Sequence, residues 1–200
     1  MGVLMSVAPQ QHAWPEPPPG GYTADDLDRL PDLPPHTELI DGSLVFVSPQ
    51  TKFHSRTMRL LDNGLLRTVP DDFDVDREMS VVLGPRQRPE PDVMVVRADA
   101  DTGPAQTAYR AEDVVLAVEV VSEESEDRDR DTKPAKYAKA GIPHFWRVES
   151  DGGRPVVYVY ELDPATRAYV ATGIHHDRLK LTVPYDIDID LTVTRPGPGA

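Results

Sequence analysis

Apolar and polar positions alternate with a period of two along several short stretches of this chain, and in two stretches the apolar residues run on almost unbroken. In "HTELIDGSLVFVSP" two extended pieces flank Asp41-Gly42, a dipeptide preferred in tight hairpin turns, which predicts pairing of Glu38–Ile40 with Ser43–Val47. "DVDREMSVVLG", "PEPDVMVV" and "DVVLAVEVVS" predict three further strands, and the apolar continuity of the last two is that of central strands covered on both faces. "HFWRVES" and "RPVVYVYEL" form a hairpin across "DGGR", while "AYVATG" and "KLTV" read as edge strands.

Helical spacing is confined to three places. From Lys52 to about Arg67, Met58, Leu61 and Leu65 recur every three or four residues, so this segment is an amphipathic helix carrying His54 in its first turn. "YTADDLDRLPD" opens on Thr23 as N-cap with Asp26 three residues on, and predicts a short helix stopped at Pro31. "DTKPAKYAKAG" predicts a helix closed by Gly141, with Pro143 just beyond. Pro134 is welcome only in the first turn of a helix, so this one either begins at Lys133 or kinks there.

Composition adds few constraints. Two hundred residues suit one domain, placed at 21–192, with proline-rich tails expected to be disordered at 1–20 and 193–200. Hydrophobic residues are 39% and charged ones 28%, ordinary for a globular chain, and no internal repeat is visible. The absence of cysteine excludes disulfides, zinc fingers and thiolate chemistry. No run approaches the roughly 20 apolar residues of a membrane span, and the N-terminus lacks a basic, signal-like start, so a cytoplasmic protein without membrane contact is expected. A formal net charge of −13 counts against a phosphate-rich partner, although carboxylates gathered round a divalent ion would be neutralised locally.

One residue breaks the apolar pattern in a way that asks for chemistry. Glu119 stands among Val118, Val120 and Val121, and a carboxylate buried in such a strand is costly unless it is paired, hydrogen-bonded or bound to metal. Asp92 opens the neighbouring apolar strand after Pro91, so the two acids can converge. The counter-charge is a divalent cation shared with Asp92, a lysine from the following helix, or both. Asp129, Lys133 and Tyr137 fall at i, i+4 and i+8 on one face of that helix, which aims Lys133 back over the end of the Glu119 strand. Oxygen ligands favour Mg²⁺ or Mn²⁺.

The series "ELIDG", a helical histidine, "PEPDVMVV", "LAVEVVS" and "DRDTKPAKYAKAGIPHFWRVE" resembles the Uma2 family of restriction-endonuclease-like proteins, from about Tyr22 to Asp190. That family looks like a branch of the PD-(D/E)xK nuclease superfamily. The resemblance implies an α/β (mixed α+β) fold with a central mixed β-sheet flanked by helices, here with an added N-terminal hairpin and C-terminal strands. It also implies metal-dependent hydrolysis of nucleic-acid phosphodiester bonds, DNA as the expected substrate, and a homodimer. Asp92 matches the first carboxylate and Glu119 the second. The superfamily lysine two residues further on is replaced by Val121, and Lys133 on the next helix matches instead. By the same resemblance, Asp92, Glu119 and the Val120 carbonyl would hold Mg²⁺ or Mn²⁺, with Glu38 as a further ligand. Lys133 would orient water or stabilise charge, and His54 would position water or phosphate.

Ordinary roles compete with these. Asp92 can be a strand-start aspartate, Glu119 a structural ion pair with Lys133 or Arg128, Glu38 a solvent-facing hairpin residue, and His54 an exposed or capping histidine. "SEESEDRDRD" reads as a solvated turn. Tyr137, Phe145 and Trp146 read as core, or else as a dimer surface. His175 and His176 point to opposite sides of a strand and do not share a metal. The rival to an enzyme is a catalytically silent binding or regulatory protein that keeps the nuclease fold. A carboxylate-pair sugar hydrolase is disfavoured by the apolar strands around the two acids.

Overall fold

The structure is a computed structural model and describes residues 16–193. Of the expected tails, 1–15 and 194–200 lie outside the described residues.

In chain order, after a single 3-10 turn at Ala24–Asp26, come β1 (Glu38–Ile40), β2 (Ser43–Val45), α1 (Lys52–Leu66), β3 (Phe73–Asp76), β4 (Ser80–Val82), β5 (Val93–Arg97) and β6 (Ala108–Arg110). There follow β7 (Val114–Val120), a π-helical turn at Arg128–Thr132 running into α2 (Lys133–Ala140), β8 (His144–Asp151), β9 (Arg154–Asp163), β10 (Ala168–His175), β11 (Arg178–Leu181) and β12 (Ile187–Asp190). The main sheet is six-stranded, in the order β10-β9-β8-β7-β5-β3. Only β7 and β8 run parallel within it, and the α2 crossover joins them, as parallel neighbours require.

Both faces of the centre are covered, which is why β5 and β7 read as continuous apolar runs. On one face Val93, Val95, Leu116, Val118, Val120, Trp146 and Val148 pack with Met58, Leu61 and Leu65 of α1 and with Ile187 and Ile189 of β12. On the other, Met94, Val96, Ala117 and Phe145 pack with Tyr137 of α2. Strand alternation therefore puts Glu119, two residues beyond Ala117, on the α2 side. Tyr137, Phe145 and Trp146 are 0–1% exposed, so they are core and not a dimer surface.

Several expectations are refined. The hairpin turn places Asp41 and Gly42 at φ 54° and 81°, the geometry that its dipeptide favours, but β2 stops at Val45 and not Val47. "YTADDLDRLPD" makes only one 3-10 turn, with the Asp26 carboxylate accepting from the Thr23 backbone and hydroxyl at 2.7 Å. "DVDREMSVVLG" is two strands, because Glu78 turns the chain through φ 53° and β4 leaves to pair in parallel with β6. The β6 segment, three residues of mixed polarity, carries no period that marks it as a strand. "KLTV" does not edge the main sheet: β11 pairs with β12 in a two-stranded sheet of its own.

Gly64 shows how closely α1 lies against this platform. A Cβ there would fall 2.6–3.0 Å from three side-chain carbons of Ile189, which is fully buried. Gly64→Ala should therefore lower unfolding stability by about 1–2 kcal/mol, because overpacking outweighs the gain in helix propensity. Urea denaturation of the two proteins measures this, and a more stable variant would show that α1 has room to move.

Candidate active site

The residues singled out from sequence meet at the end of the central sheet where β7 finishes and β5 begins. They line an open cleft of about 1070 Å³, which includes His36, Glu38, His54, Glu90, Asp92, Glu119, Asp129 and Lys133.

Asp92 sits one residue before β5, and its carboxylate is gripped from two sides. Its Oδ2 accepts the Val120 N–H at 2.6 Å, and its Oδ1 lies 2.8 Å from His54 Nε2. A carboxylate oxygen accepts, so in this contact Nε2 is the donor. Thr51 caps α1 by accepting the His54 N–H at 3.2 Å, which places the ring in the first turn and over Asp92. His54 is 3% exposed and its Nδ1 has no hydrogen-bond partner among the described residues. It is neither an exposed nor merely a capping histidine. Val120 meets Asp92 through its N–H; the expected metal contact is its carbonyl.

Glu119 is equally committed. Its Oε2 accepts from Lys133 Nζ at 2.9 Å and its Oε1 from the Tyr137 hydroxyl at 2.5 Å. Lys133 also lies 2.8 Å from Glu38 Oε1 and 3.5 Å from Asp129 Oδ1, so one ammonium is shared by three carboxylates, each almost fully buried. Glu38 does not face solvent: it is 1% exposed and also accepts the Glu90 backbone N–H at 2.8 Å. Arg128 does not reach Glu119 and instead lies 3.9 Å from Glu124.

A local backbone irregularity aims the lysine. The Lys133 N–H donates to the Arg128 carbonyl, a five-residue step that widens the turn ahead of α2. Helical backbone already begins at Glu126 and runs unbroken through this wide turn into the α-helical stretch from Lys133, with Pro134 just beyond the widening. Of the two placements open in the sequence, the helix is distorted next to Pro134 and does not begin at Lys133. Asp129, Lys133 and Tyr137 do share one face, and Asp129 is the buried exception in an otherwise solvated charged run.

Electrostatically the cluster asks for positive charge. Burial pushes Glu119 well above the usual carboxylate range, against the pull of Lys133, and burial likewise raises Asp129. For Lys133, burial alone would favour the neutral amine, but Glu119, Glu38, Asp129 and Asp92 together outweigh it and hold its pKa well above the ordinary lysine value. Tyr137, raised by burial and by Glu119, keeps its proton and donates it.

In chemical kind the donors suit a hard divalent ion: they are carboxylate oxygens in an open cleft, and among the described residues the buried Asp129 Oδ1 has no hydrogen-bond partner, only the Lys133 ammonium at 3.5 Å. In arrangement Lys133 supplies the cation itself, and among the described residues no three His, Asp or Glu side chains stand ready to close on one ion.

A mixed sheet flanked by helices, with paired acids at adjoining strand ends, defines a nuclease-like fold. A solved structure of a putative nuclease of DUF820 from Anabaena variabilis shares it, with TM-score 0.58 and 16% identity over 81% of this chain and 89% of that one. The profile of Uma2, described as putative restriction endonuclease, matches residues 24–194, and the chain belongs to that family. No curated protein matches it in sequence. Among the described residues no helix is long and apolar enough to cross a membrane.

Sequence reasoning passed over His36 and Glu90, which pair at 2.5 Å in the cleft wall. Glu90 stands in the quoted "PEPD" beside Asp92, but nothing in the sequence links it to His36, which lies in a proline-rich loop. Tyr137 reads in the sequence as core or dimer surface on the Lys133 face, and an apolar neighbourhood gives no sign that its hydroxyl points at Glu119.

Lys133→Met removes the shared ammonium and should cost about 3–5 kcal/mol in chemical denaturation, because three buried acids lose their counter-charge. Adding Glu119→Gln to that variant should recover part of the loss. Strict additivity of the two changes would show that the pair is not coupled.

Proposed function

We propose that this chain is a metal-dependent endonuclease acting on DNA, with its site built from Asp92, Glu119, Lys133, His54 and Glu38. The supporting observation is their convergence: side chains from β1, α1, the head of β5, β7 and α2 meet on the floor of one open cleft. A buried structural ion pair needs neither an open cleft nor a second acid pinned by a histidine.

Asp92, Glu119 and the Val120 carbonyl would hold Mg²⁺ or Mn²⁺, with Glu38 as a further ligand. The bound ion would acidify a water and offset charge on the scissile phosphate. The protein's own groups prepare the rest. His54 and the Val120 N–H keep the Asp92 carboxylate fixed at the cleft. Tyr137 holds the Glu119 carboxylate from behind. Lys133 stays protonated and offers fixed positive charge where charge grows on the phosphoryl oxygens, so little reorganisation is needed during the reaction.

The rival reading is a protein that keeps this fold for binding without cleavage. It is supported by the occupancy of all four Asp92 and Glu119 oxygens by protein donors.

The two readings separate with purified protein on plasmid DNA in MgCl₂ or MnCl₂. We expect cleavage by wild type and a loss of about 10³-fold or more in Asp92→Ala. Cleavage that persists in the variant would remove Asp92 from the site. In parallel, Mn²⁺ should raise the wild-type melting temperature and leave Glu119→Gln unmoved, about 2.7 kcal/mol being available at one hundred times Kd. No wild-type response in either measurement favours the silent reading.

A further inference from the structure

A second hollow of about 330 Å³ lies on the opposite side of the helical segment from the acidic cleft. Asp129, Lys133 and Tyr137 face the cleft, whereas Arg130, Pro134 and Ala138 wall this hollow, and Arg147, Arg167, Tyr160 and Tyr169 complete it. In a chain of net charge −13 three arginines line this hollow; Glu149 stands beside Arg130 and Arg147, and Glu126 also pairs with Arg130, which leaves Arg167 as the arginine with no acidic partner among the described residues.

The arginines are differently engaged. Arg130 is forked onto Glu149 at 3.1 and 2.8 Å, and forms the fixed rim. Arg147 lies with its guanidinium 4.7 Å from the Tyr158 ring centre and 5.7 Å from that of Tyr160. Its Nε is buried 2.8 Å from Glu149 with no hydrogen-bond acceptor among the described residues, so a ligand would meet the outer edge of this guanidinium. Arg167 is exposed, and no partner of its side chain is found among the described residues. Behind them the rings of Phe145, Tyr160 and Tyr169 pack at 5.4–5.7 Å. Guanidinium groups with open donors recognise phosphate, and aromatic and arginine planes stack on a base. The volume is at the lower end for a small-molecule site, larger than a lone anion needs.

We propose that this hollow binds a phosphorylated nucleoside, its phosphate on Arg147 and Arg167 and its base against Tyr160 and Tyr169. The choice of a nucleotide among phosphorylated aromatic ligands rests on the nuclease reading; the anion site does not. Arg147 is the register partner of Glu119 on the adjacent strand, so the hollow begins one strand away from the acidic cluster and on the same sheet face.

The test is calorimetric titration of wild type, in EDTA and low salt, with 5′-AMP, orthophosphate, phenyl phosphate and a short single-stranded oligonucleotide. We expect saturable binding of AMP, weaker binding of orthophosphate and of phenyl phosphate, and a loss of about tenfold in Arg167→Glu, whose exposed site leaves the melting temperature unchanged. Arg147→Gln should weaken binding as well. Tighter binding of the oligonucleotide assigns the hollow to a strand, and equal binding assigns it to free mononucleotide. Failure of both to bind, binding indifferent to Arg167→Glu, or phenyl phosphate matching AMP overturns the proposal. Because EDTA is present and Asp92→Ala should bind AMP like wild type, these outcomes do not depend on whether the cleft cleaves anything.

Discussion

The rest of the site depends on one buried ammonium among three carboxylates. Lys133 lies within 2.9 Å of Glu38 and Glu119 and 3.5 Å from Asp129, all four side chains being nearly inaccessible. Charges so buried are tolerated only when each is compensated, and the compensation ties together the N-terminal hairpin, the central strand β7 and the helical segment that crosses over it. The wide turn before α2 and the placement of Pro134 follow from the same requirement, since both serve to bring that one nitrogen over the end of β7.

The two faces of the sheet divide the work. The α1 face is a dry aliphatic core that fixes where His54 stands and, through it, Asp92. The α2 face alternates between packing and polar residues, with Ala117 and Phe145 under Tyr137 and with Glu119 and Arg147 beside them. The polar cluster thus gathers at one end of an otherwise apolar platform, most of it on the α2 face, with His54 reaching in from α1. The helical segment separates an acidic cleft from an arginine-lined hollow, and its alternate faces supply Lys133 to the first and Arg130 to the second.

Much of the candidate site was legible because burying charge leaves a conspicuous trace. A glutamate inside a valine run and an aspartate at the head of the next apolar strand are visible as exceptions to a pattern, and the i, i+4, i+8 spacing put Asp129, Lys133 and Tyr137 on one face without any coordinates. Residues that belong to no periodic segment escaped. His36 sits in a proline-rich loop, and the sequence holds no record of the turn that brings it to Glu90.

The sequence by itself determined the central strands, both helices, the hairpin at Asp41-Gly42 and the presence of a buried acid needing a partner. These are local properties, set by periodicity, turn chemistry and the cost of desolvation. Only the tertiary structure supplied the long-range contacts. It set Lys133 against Glu119, buried Glu38 beside it, joined His54 to Asp92, and sent β4 and β11 away from the main sheet. Each of those outcomes is a contact between segments distant in sequence, and no single segment encodes the distance at which another will stand.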